Sequence, residues 1–490
     1  MRVKARTPTG CACNWRAFPC MSDLGRWPRP YTERMRSALA SVPWVLAGAV
    51  AWGGGTAPEA RQPTPARNAI VFIGDGVDDH QLTIARNYLF GASGGFSFDA
   101  FPYRAAARVL TVLESDPGIP EYVGDSASGG TAIAAGVVTS RGRIATQAGH
   151  GRPVPTLLEL ASAAGKWTGI VTTSSITDAT PASFVAHINR RFCQGPRDMQ
   201  PTPTDPRCLR ALKANGGPGS IAEQIAASDV DLLLGGGYRH FDQPDESGVS
   251  VLSQARDAGY RVVRDAAGLS AAAEQPGKLL GLFGDDTLPV EWVGERDGRA
   301  RSVAFEADGS VIDPAPFGCV DNPRFGTRPT LEAMTAFALE RLEHAPDGFV
   351  MMVESASIDK QAHQGRPCGQ IGETRALDDA VRVAAAFQAR HADTLIVVAS
   401  DHGHAAQIIP WPSLFASRAE AQYPPGKVAR VRTLEGGVMA VSYGTNATYL
   451  EEHTGTQVPV FARGPGAAGV HGLVQQADLF GIVQRALGLD

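Results

Sequence analysis

The sequence has no run of lysine and arginine, no repeat of fixed period, and no apolar stretch long enough for a typical membrane-spanning helix. Its 45 basic and 50 acidic residues give a net charge of −5, so the charge pattern does not support specific nucleic-acid binding. Hydrophobic residues make up 43% of the 490 residues and charged residues 19%, which excludes a fibrous or disordered chain. The composition predicts a protein with a full hydrophobic core.

Basic residues are concentrated at the start of the chain, where residues 1–57 hold eight Lys/Arg and two acidic residues. The remaining residues carry a net charge of −11. Arg34 and Arg36 precede the mostly apolar run 38–52 and the small residues 53–57, an order typical of a secretory signal rather than a stable membrane anchor. We expect an over-extended start followed by an export signal, and hence a periplasmic or secreted protein.

Few cysteines remain beyond residue 57, namely Cys193, Cys208, Cys319 and Cys368. An even number in an exported chain predicts two disulfides. Sequence proximity favours Cys193–Cys208 and Cys319–Cys368, and two other pairings stay open. A zinc site of four thiolates is the alternative, but the chain has no C-x-x-C spacing among these residues.

Apolar, β-branched segments alternate with segments whose apolar residues have helical spacing. This alternation over about 400 residues predicts an α/β fold with a mostly parallel central sheet and helices on both faces. The predicted strands are 69–73, 169–173, 231–234, 349–353, 394–399 and 439–443. The predicted helices are 131–138, 156–164, 221–227, 329–344, 377–391 and 477–486.

Two segments interrupt this alternation, 285–326 and 411–434. Both are richer in glycine, proline and charge than their surroundings. We expect them to be surface insertions within a single domain, 58–490, rather than separate domains.

Carboxylates stand at the ends of three predicted strands, as Asp75, Glu354 and Asp401. The carboxyl ends of parallel strands share one edge of the sheet, where ligands bind. Buried carboxylates that meet there would repel one another, so divalent cations are the expected counter-charges. The alternative, that each acid caps a following helix, is less plausible for three strands than for one.

Histidines add candidate metal ligands. Asp359 and His363 are four residues apart, so on a helix both would face one ion. His402 and His453 supply further nitrogen ligands, and mixed His/Asp ligation favours zinc, whereas oxygen-only ligands favour magnesium. We expect His404 to support a neighbouring ligand, because it stands too close to His402 to bind metal as well.

Ser126 is the candidate nucleophile. It follows Gly124-Asp125 in a segment of small residues that leads into the predicted helix 131–138, where a phosphate could approach backbone amides and the helix dipole. The serine-hydrolase pattern G-x-S-x-G fails because Ser128 replaces the second glycine. The segment therefore favours metal activation over a histidine-based triad, although the tripeptide alone also suits an ordinary helix start.

Taken together, these segments resemble the bacterial-type alkaline phosphatase family, from about Asn68 to the C-terminus. The matching segments are 72–76, 125–127, 178–182, 186–187 with Arg191, 217–221, 353–361, 367–373, 400–404 and 452–455. The resemblance implies that family's α/β fold, a catalytic domain over 58–490, a homodimer, and small phosphate monoesters as substrates. The four cysteines also lie where that family has two disulfides.

The resemblance further implies two zinc ions and one magnesium ion. One zinc would be bound by Asp359, His363 and His453, and the second by Asp75, Asp401, His402 and Ser126. The magnesium would be bound by Asp75, Thr180 and Glu354. Arg191 would hold the phosphate with its planar guanidinium, and Lys360 and Asp178 would act on it through water.

The implied activity is hydrolysis of phosphate monoesters through a phosphoserine at Ser126. A phosphodiesterase or sulfatase on the same metal core is one alternative, but Arg191 and the pair Thr180 and Glu354 suit a dianionic monoester better. A non-catalytic phosphate or metal binder is another alternative, and the intact Ser126 with its complete ligand set argues against it.

Two features depart from the family's pattern. Gly129 and Gly130 follow the nucleophile as a pair, which leaves the helix geometry there open. The segment 411–434 contains Tyr423-Pro-Pro-Gly426, and we expect it to cover the site and alter substrate access rather than abolish activity.

Overall fold

The computed structural model describes residues 65–200, 207–307, 311–414, 426–446 and 448–489. The chain divides into two units, Met1–Arg61 and Gln62–Asp490, and every described residue belongs to the second. The predicted export signal in 1–57 and residues 415–425 of the second predicted insertion therefore lie outside the described residues. No helix within the described ranges is both long and apolar enough to cross a membrane.

The strands and helices of the described residues are numbered in chain order. The strands are β1 (Asn68–Gly74), β2 (Tyr103–Arg108), β3 (Thr111–Val112), β4 (Pro120–Glu121), β5 (Trp167–Ser175), β6 (Leu232–Gly236), β7 (Tyr260–Val263), β8 (Lys278–Leu282), β9 (Trp292–Gly294), β10 (Arg301–Ser302), β11 (Ala304–Phe305), β12 (Val311–Ile312), β13 (Cys319–Asp321), β14 (Phe349–Ser355), β15 (Thr394–Ala399), β16 (Gly403–His404), β17 (Gln407–Ile409), β18 (Lys427–Arg432), β19 (Val438–Tyr443), β20 (His453–Thr454), β21 (Val458–Arg463) and β22 (Gly472–Gln475). The helices are α1 (Asp79–Phe90), α2 (Ser126–Ala135), α3 (Leu157–Ala163), α4 (Ala179–Ala182), α5 (Ile221–Ala226), α6 (Tyr238–Phe241), α7 (Val251–Asp257), α8 (Ala266–Ala271), α9 (Leu331–Leu342), α10 (Ser357–His363), α11 (Pro367–Arg390) and α12 (Asp478–Leu487).

The central sheet has ten strands in the order β22-β2-β21-β15-β1-β14-β5-β6-β8-β7. The seven strands from β15 to β7 are all parallel to one another. Strand β21 runs antiparallel to both β15 and β2. This mostly parallel sheet confirms the predicted α/β fold.

Both faces of the sheet are buried, as β1 illustrates. Val71 and Ile73 project into one hydrophobic cluster, which also contains residues of α2, α3, α5 and α12. Ile70 and Phe72 project into the other, against residues of α1, α9 and α11. Alternate side chains of a strand face opposite sides, so a strand covered on both faces is apolar throughout. Each such side chain stabilises the fold by about 1.5–3 kcal/mol through burial.

The segment 439–443 is a strand, but it does not belong to the central sheet. It forms part of β19 in a separate four-stranded sheet of order β10-β18-β19-β17. Strand β18 pairs antiparallel with β19 and lies within the segment 411–434, which we expected to be a surface insertion. Val428, Ala429 and Val431 of β18 are buried, so this part of the segment contributes to the hydrophobic core.

Both disulfides favoured by sequence proximity are present. Cys193 and Cys208 have Cα atoms 5.8 Å apart, and Cys319 and Cys368 have Cα atoms 5.2 Å apart. These separations suit disulfide geometry. The first bond anchors the chain two residues after Arg191, and the second joins β13 to the first turn of α11.

We expect the two disulfides to differ in their contribution to stability. They close loops of 15 and 49 residues. A disulfide stabilises the folded chain by lowering the entropy of the unfolded chain, and this effect grows with loop length. Replacing Cys319 and Cys368 with alanine should lower the free energy of unfolding by about 4 kcal/mol, and replacing Cys193 and Cys208 by about 3 kcal/mol. Urea unfolding of both double variants checks this, and a larger loss for the shorter loop would contradict it.

Candidate active site

The three strand-end carboxylates meet at one edge of the central sheet. Strand β1 lies between β14 and β15, and Ile73 is in register with Glu354 on one side and with Ala399 on the other. Asp75 follows β1 and Asp401 follows β15, so both lie on the same edge as Glu354. All three carboxylates are buried, each with 2% or less of its surface exposed.

A first group of four candidate metal ligands lies at this edge, and helix α10 supplies two of them. Asp359, His363, His404 and His453 each offer a ligand atom, and these atoms lie within 4.8 Å of one another. Asp359 Oδ1 lies 3.4 Å from His363 Nε2 and 3.3 Å from His453 Nε2. The predicted ligands Asp359, His363 and His453 are thus brought together.

Backbone carbonyls set the tautomers of two of these histidines. His363 Nδ1 donates to the carbonyl of Glu451, and His453 Nδ1 donates to the carbonyl of Gly124 at 2.9 Å. A carbonyl can only accept, so Nδ1 carries the proton and the lone pair of Nε2 is left for a metal. The two Nε2 atoms are 3.2 Å apart. Two facing lone pairs beside a carboxylate suit a cation such as zinc.

Asp359 supplies a further sign that a cation fits here. Its Oδ1 is buried and has no hydrogen-bond partner among the described residues. Burial opposes ionisation, but the neighbouring histidines, His453 first, outweigh it and hold the pKa of Asp359 well below its usual value. The donor set therefore presents an ionised carboxylate oxygen and two imidazole nitrogens to one point.

His404 differs from the other histidines in its tautomer. The backbone N–H of Ala405 donates to His404 Nδ1 at 2.7 Å, so a neutral His404 carries its proton on Nε2. That Nε2 lies 3.3 Å from Asp359 Oδ1. Burial lowers the pKa of His404 well below its usual value, which keeps the ring neutral. His404 Nε2 has no hydrogen-bond partner among the described residues, and its ligand atom lies with those of Asp359, His363 and His453.

A second group of candidate ligands surrounds His402. Asp75, Asp359 and His402 offer ligand atoms within 4.8 Å of one another. His402 Nε2 lies 3.3 Å from Asp75 Oδ1 and 3.7 Å from Asp401 Oδ2. Burial lowers the pKa of His402, but Asp75 and Asp359 outweigh it and raise that pKa overall. Asp401 is oriented by hydrogen bonds to its Oδ1 from the backbone N–H groups of Gly76 and His402, each at 3.0 Å.

Ser126 faces this second group. Its Oγ lies 3.4 Å from Asp75 Oδ1 and 3.3 Å from His402 Nε2, and the residue is 2% exposed. Ser126 is the first residue of α2, whose N-cap is Asp125. The helix starts five residues before the predicted start at 131, because the Asp125 side chain accepts a hydrogen bond from the backbone N–H of Ser128 at 3.0 Å.

The paired glycines after Ser126 allow α2 to approach its neighbours closely. A Cβ atom at position 129 would lie 2.1 Å from the carbonyl oxygen of Asp401, and one at position 130 would lie 3.0 Å from Ser183 Oγ. The helix backbone therefore packs directly against the Asp401 segment. The Gly129-Gly130 pair thus lies within the helix α2 and permits this close packing.

The predicted magnesium ligands are also buried at this edge. Thr180, in α4, lies with its Oγ1 3.5 Å from Asp401 Oδ2. Glu354 accepts hydrogen bonds from Thr172 Oγ1 and, at 3.0 Å, from Ser174 Oγ. Burial and the charge of Asp75 raise the pKa of Glu354 to about 8. Burial and Asp75 likewise raise the pKa of Asp401 well above its usual value. These carboxylates repel one another in the absence of a cation.

Arg191 is held in place by two carboxylates. Its guanidinium Nη1 lies 3.1 Å from Asp125 Oδ2, and its Nη2 lies 3.2 Å from Asp178 Oδ1. Lys360 Nζ donates to the other oxygen of Asp178 at 2.8 Å. Burial opposes ionisation of Asp178, but Lys360 and Arg191 outweigh it and lower its pKa. The three predicted residues Arg191, Lys360 and Asp178 thus form one ion-pair network.

Sequence reasoning missed the residues that orient these groups. Thr172 and Ser174 hold Glu354, and backbone carbonyls of Gly124 and Glu451 hold two histidines. Lys427 Nζ in turn donates to Glu451 Oε1 at 2.8 Å, which ties the four-stranded sheet to the site. Small polar residues and main-chain carbonyls have no distinguishing sequence pattern, so no signal in the chain marks them.

Comparison with known proteins identifies similar chains. The family model described as alkaline phosphatase matches residues 66–451. Streptomycin-6-phosphate phosphatase of Streptomyces griseus is 44% identical over 471 residues, which are 93% of this chain and the whole of that protein. Alkaline phosphatase of Escherichia coli (strain K12) is 41% identical over 433 residues, or 87% of each chain.

Solved structures show the same fold. Alkaline phosphatase from the Antarctic bacterium TAB5 superposes with a TM-score of 0.64 at 22% identity, covering 87% of this chain and all of that chain. The Thermus thermophilus alkaline phosphatase gives a TM-score of 0.62 at 22% identity, covering 90% of this chain and 96% of that one.

Proposed function

The chain belongs to the alkaline phosphatase family and is a phosphatase, and on that premise we propose that it hydrolyses phosphate monoesters through a phosphoserine at Ser126. We further propose a site for two zinc ions and one magnesium ion. Small phosphate monoesters are the proposed substrates, and the Streptomyces griseus relative is itself named for a phosphate, streptomycin 6-phosphate.

The observation that carries the proposal is the position of Ser126. Its Oγ lies within 3.4 Å of both Asp75 Oδ1 and His402 Nε2, at the first residue of the ten-residue helix α2. A serine hydroxyl is a weak nucleophile unless a base or a cation favours its ionised form. The surrounding ligand atoms offer a cation site, and the N-terminus of α2 favours negative charge at this oxygen.

The chain's own residues would position the substrate. Arg191 would bind two phosphate oxygens with its planar guanidinium, which Asp125 and Asp178 hold in place. Ser126 Oγ would attack the phosphorus and release the alcohol, and a water molecule would then cleave the phosphoserine from the opposite side. Both steps put negative charge on oxygens that the guanidinium can stabilise.

The metal ligands divide into three sets. Asp359, His363 and His453 would hold one zinc; Asp75, Asp401 and His402 would hold the other; and Asp75, Thr180 and Glu354 would hold the magnesium. When bound, these ions would lower the pKa of the serine hydroxyl and offset charge on the departing ester oxygen. His404 would keep Asp359 oriented, and Lys360 would keep Asp178 ionised.

We also propose that residues 1–57 direct export, that 58–490 form one catalytic domain, and that the protein acts as a homodimer in the periplasm or outside the cell. The two disulfides support an oxidising compartment, where such bonds persist. Cleavage of the start of the chain in exported material, detected by N-terminal sequencing, tests the first of these proposals. The apparent mass of the purified protein in solution tests the last.

The decisive experiment compares three substrates with the same leaving group. The protein with zinc and magnesium bound should hydrolyse 4-nitrophenyl phosphate faster than bis(4-nitrophenyl) phosphate or 4-nitrophenyl sulfate. The reason is that Arg191 and the proposed magnesium set suit a dianionic phosphoryl group. Faster turnover of the diester or the sulfate would replace the monoesterase proposal with one of the two alternatives.

We expect Arg191 to act mainly in phosphate binding. Replacing it with alanine should lower kcat/KM by about 100-fold and weaken inhibition by inorganic phosphate, because two charge-assisted hydrogen bonds are lost. Lysine at this position should restore only part of the affinity, since an ammonium group cannot bind two oxygens in one plane. The exposed Arg152, replaced with alanine, is the control. Unchanged phosphate inhibition in Arg191→Ala would contradict this role.

A further inference from the structure

A cavity of about 440 Å³ is lined by residues that do not belong to the proposed hydrolytic site. It is bounded by residues 295–301, by residues 314–317 and by strand β18. Five arginines line it, Arg296, Arg299, Arg301, Arg430 and Arg432, and Glu295 is the one acidic residue in its lining. Neither Ser126, Arg191 nor any proposed metal ligand belongs to the lining.

Among the described residues, carboxylates form ion pairs with two of the five arginines. Arg432 forms an ion pair with Glu295, and Arg430 Nη1 lies 3.2 Å from Asp313 Oδ2. Arg296, Arg299 and Arg301 form no ion pair with a described residue, and all three are exposed. Arginine stays charged at any ordinary pH, so the cavity carries an excess of positive charge. This excess is unusual in a chain whose residues beyond 57 carry a net charge of −11.

The walls of the cavity are held in place by the backbone. The N–H of Phe317 donates to the carbonyl of Arg430 at 3.0 Å, and the N–H of Arg432 donates to the carbonyl of Phe317 at 2.8 Å. Arg301 is in register with Val428 of β18. The N–H of Ala300 donates to the carbonyl of Gly365 at 2.7 Å. The backbone that carries the arginines is therefore held by strand pairing and by hydrogen bonds between loops.

Arg296 and Asp297 at the edge of the cavity have left-handed backbone conformations, with φ of 54° and 59°. Residues with a Cβ atom rarely adopt this conformation, and strained residues of this kind cluster at ligand sites. Asp297 forms an ion pair with Arg366 at 3.1 Å, and neither residue belongs to the lining of the cavity.

We propose that this cavity binds a small anion with two adjacent phosphate groups, at a site separate from the hydrolytic one. Three guanidinium groups that form no ion pair with a described residue call for more negative charge than a single phosphate carries. Planar guanidinium groups bind phosphate oxygens in pairs, and a cavity of this volume admits more than one phosphate. Pro314, Pro316 and Phe317 add an apolar wall that a nucleoside could contact, so the anion is an inorganic diphosphate or a nucleoside diphosphate.

Isothermal titration calorimetry with methylenediphosphonate, which cannot be hydrolysed between its phosphorus atoms, tests the proposal on the metal-loaded protein. The double variant Arg299→Gln/Arg301→Gln should lose one bound equivalent of methylenediphosphonate relative to the wild-type chain, or bind that equivalent at least about tenfold more weakly. The control Arg261→Gln/Arg485→Gln removes the same charge from exposed positions outside the cavity and should bind like the wild type. Hydrolysis of 4-nitrophenyl phosphate should be unchanged in both variants, which shows that they fold.

If Arg299→Gln/Arg301→Gln does not fold, the single variant Arg296→Gln takes its place, with the same expected weakening. A second arm uses the α,β-methylene analogue of adenosine diphosphate. Tighter binding of this analogue assigns the cavity to a nucleoside diphosphate, and equal binding assigns it to inorganic diphosphate. Unaltered stoichiometry and affinity in the arginine variants would overturn the proposal. The criterion is the difference between variant and control, so it holds even if the site at Ser126 binds no phosphate.

Discussion

Replacing Ser126 with alanine is expected to lower kcat for a phosphate monoester by at least about 10³-fold, because the reaction loses its nucleophile while charge stabilisation remains. Ser126 Oγ faces Asp75 and His402 at 3.4 and 3.3 Å, and no other described hydroxyl lies in that position. Steady-state kinetics with 4-nitrophenyl phosphate give the size of the loss. Acid quenching after incubation with labelled inorganic phosphate should trap label on the wild-type protein and none on Ser126→Ala.

Ser128→Ala is the matched control for this experiment. Ser128 lies in the same first turn of α2, where its hydroxyl accepts a hydrogen bond from the backbone N–H of Asp125 at 3.0 Å. Its loss should reduce stability slightly, by about 1 kcal/mol, and keep the labelled intermediate. Equal loss of label in both variants would point to distortion of the helix start, and full activity of Ser126→Ala would remove the proposed nucleophile.

Removal of bound metal is expected to abolish hydrolysis and to lower the melting temperature by several degrees. Without cations, the buried carboxylates of Asp75, Glu354 and Asp401 repel one another. Ions that bind only the folded chain stabilise it by mass action, so their removal lowers stability. Activity and thermal unfolding should be measured before chelation, after it, and after return of zinc and magnesium together. Full activity in protein with no metal detected by elemental analysis would contradict the proposed site.

Single substitutions separate the metal sites from general electrostatic effects. Asp359→Asn should lose about one zinc per chain, because a neutral amide is a poor zinc ligand. Asp99→Asn removes a carboxylate that is paired with Arg86 at 2.9 Å away from the site, and it should keep the full metal content. Equal metal content in the two variants would show that Asp359 is not a ligand.

Three of the strands that sequence reasoning found are buried on both faces. The segments 69–73, 349–353 and 394–399 are apolar throughout because helices cover both sides of the sheet. Strand β2 was missed because its sequence, Tyr103–Arg108, is mostly alanine and arginine, and β21 because it contains Pro459. Their strand conformation depends on pairing between segments that are far apart in the chain.

The proposed metal ligands were brought to notice for a different reason. Asp75, Glu354 and Asp401 stand at strand ends, and Asp359 and His363 have helical spacing, so local patterns place them. The contacts that orient them are not local. Glu451 lies 88 residues from His363, and Gly124 lies 329 residues from His453. Thr172 reaches Glu354 across 182 residues. Such approaches follow from the order of strands in the sheet, which the sequence pattern does not specify.

Gly129 has no side chain, and this absence sets how closely helix α2 approaches the Asp401 segment. A Cβ atom at position 129 would lie 2.1 Å from the carbonyl oxygen of Asp401, so an added methyl group would push α2, and with it Ser126, away from the Asp401 segment. Every residue other than glycine carries a Cβ atom, so any substitution at position 129 would create this overlap. A library designed to change which esters are accepted should leave that glycine untouched.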